Sequence, residues 1–410
     1  MKRLVALVLA LMMLSCVALG EGEGLHYLTK EDIAQIYNPD ALASYQDDTM
    51  AEPVVSGTAE ELALTDEEIE QIRAMDLTIC LQQDHLDDAM KLIQQAFQDA
   101  CDELGITLGS IWMAADQSGA AARSDYENFL SVTDEYDAFF TCLSDASLNT
   151  DILKEIMEEI PVGYMLAVPL DMDWENTENF IGVTDINAKE AGIQSAKAAV
   201  AILEGEGVIG TVGYENGRTG DINTCFQRYE GWNEVFEEAG DSISLVQTWY
   251  DDPANSKALI QSMLASNPEI EVLLIDWSYP VADYALQVCN EMGLVAGEDI
   301  YIVSIDYDNA VTIPMATYGE DSYVAACVAQ DWYKAGYNLV YMYARYLLDN
   351  GENTKFVAAN PAPVTNCYNV QTTYGLIIPE TVEAIPMVDE VAQLENQWTL
   401  EDMGIENAWN

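Results

Sequence analysis

The chain has 410 residues, half of them hydrophobic, and carries 71 acidic against 15 basic side chains, a formal charge of -56 at neutral pH. That balance excludes nucleic acid and an anionic membrane surface as electrostatic partners, and the length excludes a single hydrophobic core, which stops growing near ~250–300 residues. The eight cysteines form no CxxC pair and the two histidines have no ligand spacing, so neither a disulfide framework nor a zinc site is expected, and no cofactor.

Lys2 and Arg3 precede an apolar run over residues 4–14 that is too short for a membrane span, so residues 1–20 are predicted to be a secretion signal. Two endings compete. Ala18-Leu19-Gly20 suits simple cleavage, whereas Met13-Leu14-Ser15-Cys16 is an imperfect lipobox that would tether the protein through lipid on Cys16. Either ending predicts an exported protein, periplasmic or at the cell surface. Residues 21–76 read as an acidic, partly ordered lead-in, with a capping box at Thr65-Asp66-Glu67-Glu68 opening a short helix.

From residue 77 short apolar runs alternate with helix-period segments, the pattern of βαβ units building parallel sheets. The first unit is a strand over 77–81 and a helix carrying Met90, Ile93, Phe97, Cys101 and Leu104, stopped by Gly105. Strands follow at 106–113, 138–142 and 161–168, with helices at 126–130 and 152–160. A second series has strands at 180–184, 208–212, 243–249, 272–275 and 300–305, with helices through Ala191, Ala198 and Ile202, then at 226–236, 259–264 and 281–292. Two such series predict two doubly wound, Rossmann-like parallel-sheet lobes; an eight-fold barrel is the architectural alternative.

In open α/β sheets ligands bind beyond the carboxyl ends of the strands, which directs attention to the loops there. After the first strand stand Gln82, Gln83, Asp84 and His85, able to exchange hydrogen bonds with hydroxyls, although a solvated loop would look the same. Trp249 and Trp277 end apolar strands and offer a flat face to a sugar ring, or else belong to the core. Asp276 and Ser278 share the Trp277 loop. Asp306 follows the strand at 300–305, where it can accept hydrogen bonds from a diol or cap a helix; Asp308 is a weaker candidate.

The order of these motifs over residues 77–378 resembles the ribose- and galactose-binding protein family, the type I periplasmic binding fold. Arg228-Tyr229-Glu230-Gly231-Trp232 is similar to its Arg-x-x-Gly-aromatic segment, Val303-Ser304-Ile305-Asp306 to its strand-ending Asp motif, and Ala329-Gln330-Asp331 with Gly336 to its late hinge. The resemblance implies a three-segment hinge, crossing near Thr184-Asp185, Gln330 and Cys367. Residues 77–183 plus 331–366 would form lobe one, 184–330 plus 367–378 lobe two, and 379–410 a tail. It places Arg228 in the ligand site and Gln330 between ligand and hinge. One departure is Leu166-Ala167-Val168-Pro169, where sugar-binding relatives carry a polar pair.

The implied function is a monomeric, non-enzymatic substrate-binding protein that closes on a small, sugar-like ligand and delivers it to an ABC permease in the membrane. Truncating Arg228 or Asp306 is expected to abolish binding with little loss of stability. A receptor presenting its closed form to a membrane kinase or chemoreceptor would use the same binding physics. A carbohydrate-active hydrolase is the enzyme alternative, since carboxylates abound, but no GxSxG, HExxH or P-loop motif is present.

Overall fold

A computed structural model of the chain describes residues 24–38, 41, 44–45, 54–55, 57, 59–115, 119–143, 145–174, 176–218, 223–306, 308–351, 356–359 and 364–369. The secretion signal with Cys16, the strand expected within 370–378 and the tail at 379–410 lie outside the described residues.

Two short strands, β1 (Ser44–Tyr45) and β2 (Val54–Val55), pair antiparallel in the lead-in. Two six-stranded sheets then follow. The first is built from β3 (Thr78–Gln83), β4 (Thr107–Met113), β5 (Ala138–Cys142), β6 (Val162–Met165) and β7 (Phe180–Asp185). The second takes β8 (Gly207–Tyr214), β9 (Ile243–Tyr250), β10 (Val272–Ile275), β11 (Tyr301–Ile305) and β12 (Val324–Val328). The chain then returns to the first sheet with β13 (Phe356–Ala359) and ends on the second with β14 (Val364–Thr365). The orders are β13-β7-β6-β5-β3-β4 and β14-β12-β11-β10-β8-β9, every pair parallel except β12 with β14. Two separate open sheets replace the barrel alternative.

Central strands such as β5, β10 and β12 are buried along their whole length, as parallel strands covered by helices on both faces must be. The helix Asp88–Leu104 is capped by Asp87, whose side chain accepts from the Met90 amide, and it ends where Gly105 turns left-handed at φ 67°. Its Ile93, Phe97, Cys101 and Leu104 are buried as the spacing predicts. Opposite it lies the helix Trp332–Leu348, brought close by Gly336, where a Cβ would stand 3.1 Å from the Ile93 carbonyl oxygen.

Some boundaries differ from the sequence reading for local reasons. The strand expected over 161–168 stops at Met165, because Leu166 takes a φ of 71° and turns the chain out of the sheet. The chain passes between the sheets after Asp185, after Val328 and between Ala359 and Val364, so the last passage precedes Cys367. The Thr65 capping box is present with Glu68, opening the helix Asp66–Arg73. The lead-in holds more than expected, namely a second capped helix, Lys30–Ile36. Among the described residues all seven cysteines are free thiols and no helix is long and apolar enough to cross a membrane.

Candidate functional site

The carboxyl ends of the two sheets meet across a crevice. His85, just beyond β3, lies edge-on to the Trp277 ring beyond β10, with centroids 5.5 Å apart. Nearby, the Asn309 amide of the second-sheet side donates to Asp88 Oδ2 of the first-sheet side at 3.3 Å.

Arg228 organises the second-sheet side. It rides on the helix Asn223–Ala239, which presses against the helix Ala188–Ile202 because Gly192 and Gly231 carry no side chain. A Cβ on Gly192 would come 2.2 Å from the Arg228 carbonyl oxygen, and one on Gly231 2.3 Å from that of Lys189. The guanidinium is thereby set in the crevice wall, 3 % exposed. Nη1 donates to the Asp276 carbonyl oxygen at 2.5 Å, Nη2 to Gln330 Oε1 at 2.5 Å, and Asp306 Oδ2 stands 3.5 Å from Nη2. Nε is buried and has no hydrogen-bond partner among the described residues. A charge so withdrawn from water holds only with such company.

Each partner of Arg228 is itself fixed. The Asp276 carboxylate accepts from the Tyr214 amide at 2.7 Å and from the Tyr250 hydroxyl at 2.9 Å, and burial pushes it up to about 6 although Arg228 pulls the other way. Asp306 accepts from the Trp332 indole and keeps a φ of 90°, a backbone state that costs a non-glycine residue ~1–3 kcal/mol. Its amide donates to the Val328 carbonyl at 2.9 Å. The Ser278 hydroxyl lies 2.8 Å from the Asp306 carbonyl oxygen and 2.9 Å from that of Ile305, so Ser278 ties the loop after β10 to the loop after β11. Gln330 completes the ring by donating to the Ile186 carbonyl at 3.4 Å, joining two of the passages between the sheets.

The first-sheet side is acidic. His85 Nδ1 lies 2.5 Å from Asp84 Oδ1 and Nε2 lies 3.1 Å from Asp87 Oδ2. Burial alone would push the imidazole down, but these two carboxylates outweigh it and hold His85 well above its ordinary value. Asp308 faces this group from the other sheet as the cap of the helix Asn309–Tyr318. Burial, reinforced by Asp88, Asp87 and Asp306, pushes it up to about 7.

The structure thus gathers Asp84, His85, Arg228, Asp276, Trp277, Ser278, Asp306 and Gln330 around one crevice. Gln82 stands below it, its Oε1 accepting from Thr141 at 2.7 Å and Tyr126 at 3.2 Å, so its amide braces β3 against β5. Gln83 is likewise spent internally on Met90 and Gln94. Trp249 is engaged by other residues: it packs on Gly213, lies 5.1 Å from the Tyr229 ring and sits under Arg218 at 5.2 Å. Its neighbour Tyr250 faces the crevice group instead, stacked on Tyr214 at 5.0 Å. Period-two alternation along a strand puts these two neighbouring side chains on opposite faces of the sheet. Tyr214, Tyr250, Asp87 and Trp332 are further residues of this neighbourhood that sequence reasoning did not single out.

A model described as the periplasmic binding protein domain matches residues 84–352. Among curated proteins none matches the sequence. Among solved structures the chain is similar to an ABC transporter solute binding protein from Agrobacterium vitis with bound allitol, at 17% identity and TM-score 0.60, over 73% of this chain and 98% of that one. It is similar to a second such protein from the same organism, bound with alpha-D-tagatopyranose, at 15% identity and TM-score 0.62, over 72% and 96%. The periplasmic binding protein component of the arabinose ABC transporter from Shewanella sp. ANA-3 matches at 18% identity and TM-score 0.60, over 72% and 94%. At such identities the likeness is one of fold.

Proposed function

Because the chain belongs to the periplasmic binding protein domain family, we propose that it is an exported solute-binding protein that closes two lobes on a small carbohydrate ligand and delivers it to an ABC importer. The single observation that carries this reading is the Arg228 group. A guanidinium, two carboxylates and an amide are preassembled at the carboxyl ends of a doubly wound sheet, directly opposite a second set of polar groups on another sheet. The solved proteins of this fold that carry allitol, tagatose and arabinose support a polyhydroxylated ligand.

Arg228 and Asp306 would hold vicinal hydroxyls through charge-assisted hydrogen bonds, and Trp277 would cover the apolar face of the ring. Asp276 acts behind Arg228, since both its oxygens are already engaged by Tyr214 and Tyr250. The side of the crevice bearing Asp84 and His85 adds its contacts when the lobes close. Closure follows from differential binding: only the closed form touches the ligand from both sides, so the ligand shifts the population toward it. No catalytic role is assigned to these residues. Export would proceed through the signal at residues 1–20, with release or a lipid anchor at Cys16.

A thermal-shift screen of the mature protein against monosaccharides, polyols, small oligosaccharides, nucleosides and amino acids tests the proposal, because a ligand of the folded form raises its midpoint. A rise with one class of sugar or polyol is the expected result. A rise with amino acids alone would move the ligand class, and steady conversion of a compound by the protein would replace the binding reading with catalysis.

A further inference from the structure

The family model begins at residue 84, yet the chain is already folded onto the molecule sixty residues earlier, at Gly24. Gly24 packs on the Gly297 carbonyl oxygen and the Leu25 amide donates to it at 2.7 Å. Tyr27 lies edge-on to Tyr301 and Tyr368, and its hydroxyl oxygen accepts from the Cys367 amide at 3.2 Å. The Leu28 carbonyl accepts from the Asn366 amide group at 2.9 Å. Leu28, Ile33, Ile36 and Tyr37 are buried together with Ala191, Ala198 and Ile202 on the second-sheet side.

The same stretch then changes sides. Ala41 offers its carbonyl to Asn187 Nδ2 at 3.1 Å, beside the first passage between the sheets. Four residues on, Tyr45 is fully buried on the first-sheet side, 5.4 Å from the Trp174 ring, with its hydroxyl oxygen accepting from the Val168 amide at 3.0 Å. Further described residues of the lead-in hold to that side. Leu62 and Ile72 join its core, Glu68 pairs with Arg345 at 2.7 Å, and Arg73 donates to the Glu103 carbonyl at 2.6 Å.

We propose that the chain running from residues 24–38 through Ala41 to Tyr45 is a strap, anchored on one lobe through Leu25, Leu28, Ile33 and Ile36 and on the other through Tyr45, that ties the lobes together across the hinge and limits how far they open. The strap is a fourth covalent passage, added to the three of the core fold. Ile36 and Tyr45 are nine residues apart, a reach of about 30 Å when fully extended, and Ala41 between them is held to Asn187, so rotation of one lobe away from the other draws on a short length of chain before it strips an anchor from its seat. The strap therefore sets the equilibrium between open and closed forms before any ligand arrives, and it rests on the hinge-closure reading given above.

The test is double electron–electron resonance between spin labels carried by unnatural amino acids at exposed Glu158 and Glu237, one on each lobe, in the ligand-free full-length mature protein. Ile33→Ala with Ile36→Ala loosens one anchor and Tyr45→Ala the other. Tyr45→Phe, which removes the hydroxyl that accepts from Val168 and keeps the ring, serves if the larger truncation does not fold. Each set is expected to shift the distance distribution toward longer separations. Combining both sets is expected to add nothing further, since a tie released at one end is already released. A broad wild-type distribution that none of the variants alters would overturn the strap alone. A single narrow distance in the wild type and every variant would overturn the strap and the hinge reading together.

Discussion

The two walls of the crevice are built from the same kind of loop, at the carboxyl ends of parallel strands, yet they solve opposite electrostatic problems. On the second-sheet wall one buried cation, Arg228, is surrounded by Asp276, Asp306 and Gln330, and every partner is locked by a further hydrogen bond. On the first-sheet wall the acids came first: Asp84 and Asp87 grip one histidine between them, with Asp88 and Asp308 close by. The first arrangement is a rigid socket whose donors are already aimed. The second is a cluster in which one imidazole sits between Asp84 and Asp87 while Lys91 pairs with Asp88 at 2.7 Å.

The largest effect should come from breaking the socket. Arg228→Lys keeps the charge but loses the planar fork that reaches Asp276 and Gln330 together, and ligand affinity is expected to fall on the order of 100-fold by calorimetry. Arg228→Ala should also lower stability by roughly 3–5 kcal/mol in denaturant unfolding, because it leaves Asp306 buried without its counter-charge. This revises the expectation that the site could be truncated with little loss of stability, and the reason is the burial that only the structure reveals.

A smaller effect separates the two tryptophans. Trp277→Ala is expected to weaken binding about 10-fold through the lost ring face, while Trp249→Ala, packed among Gly213, Arg218 and Tyr229, should leave affinity within about 2-fold. Equal losses in the two variants would show that the crevice does not discriminate between them as the geometry requires.

The mildest probe addresses the acidic wall. Because Asp84 and Asp87 raise His85 well above its ordinary value, its contribution to stability is fully present below about 6.5, the unfolded value, and is lost as pH rises through the folded one. His85→Gln is therefore expected to lower Tm by about 2–4 °C at pH 6, with the difference from wild type shrinking in alkaline solution. A constant difference across that range would mean that the histidine is neutral and merely packed.

Much of the fold was legible because parallel strands buried on both faces announce themselves as short apolar runs, and the helix Asp88–Leu104 declared its end through Gly105. The end of the second series was not. The helix Asn309–Tyr318 contains Pro314, which argues against a helix in sequence, and β13 and β14 are short strands given meaning only by their partners β7 and β12. In the lead-in, Ile33 and Ile36 are too few to make a readable stripe among acids, and their burial depends on a helix more than 150 residues away. For the site, the strand-end rule directs attention to the loops, but it does not tell which polar groups face across the crevice and which, like Gln82 and Gln83, are consumed within their own lobe.

The most direct test of the account is small-angle scattering of the mature protein with and without the sugar or polyol that raises its melting temperature, for wild type and Arg228→Lys at saturating ligand. The account predicts a smaller radius of gyration on adding ligand to wild type, with the variant requiring far more ligand to contract. Saturating binding with an unchanged radius of gyration in wild type would contradict closure of the two lobes on the ligand.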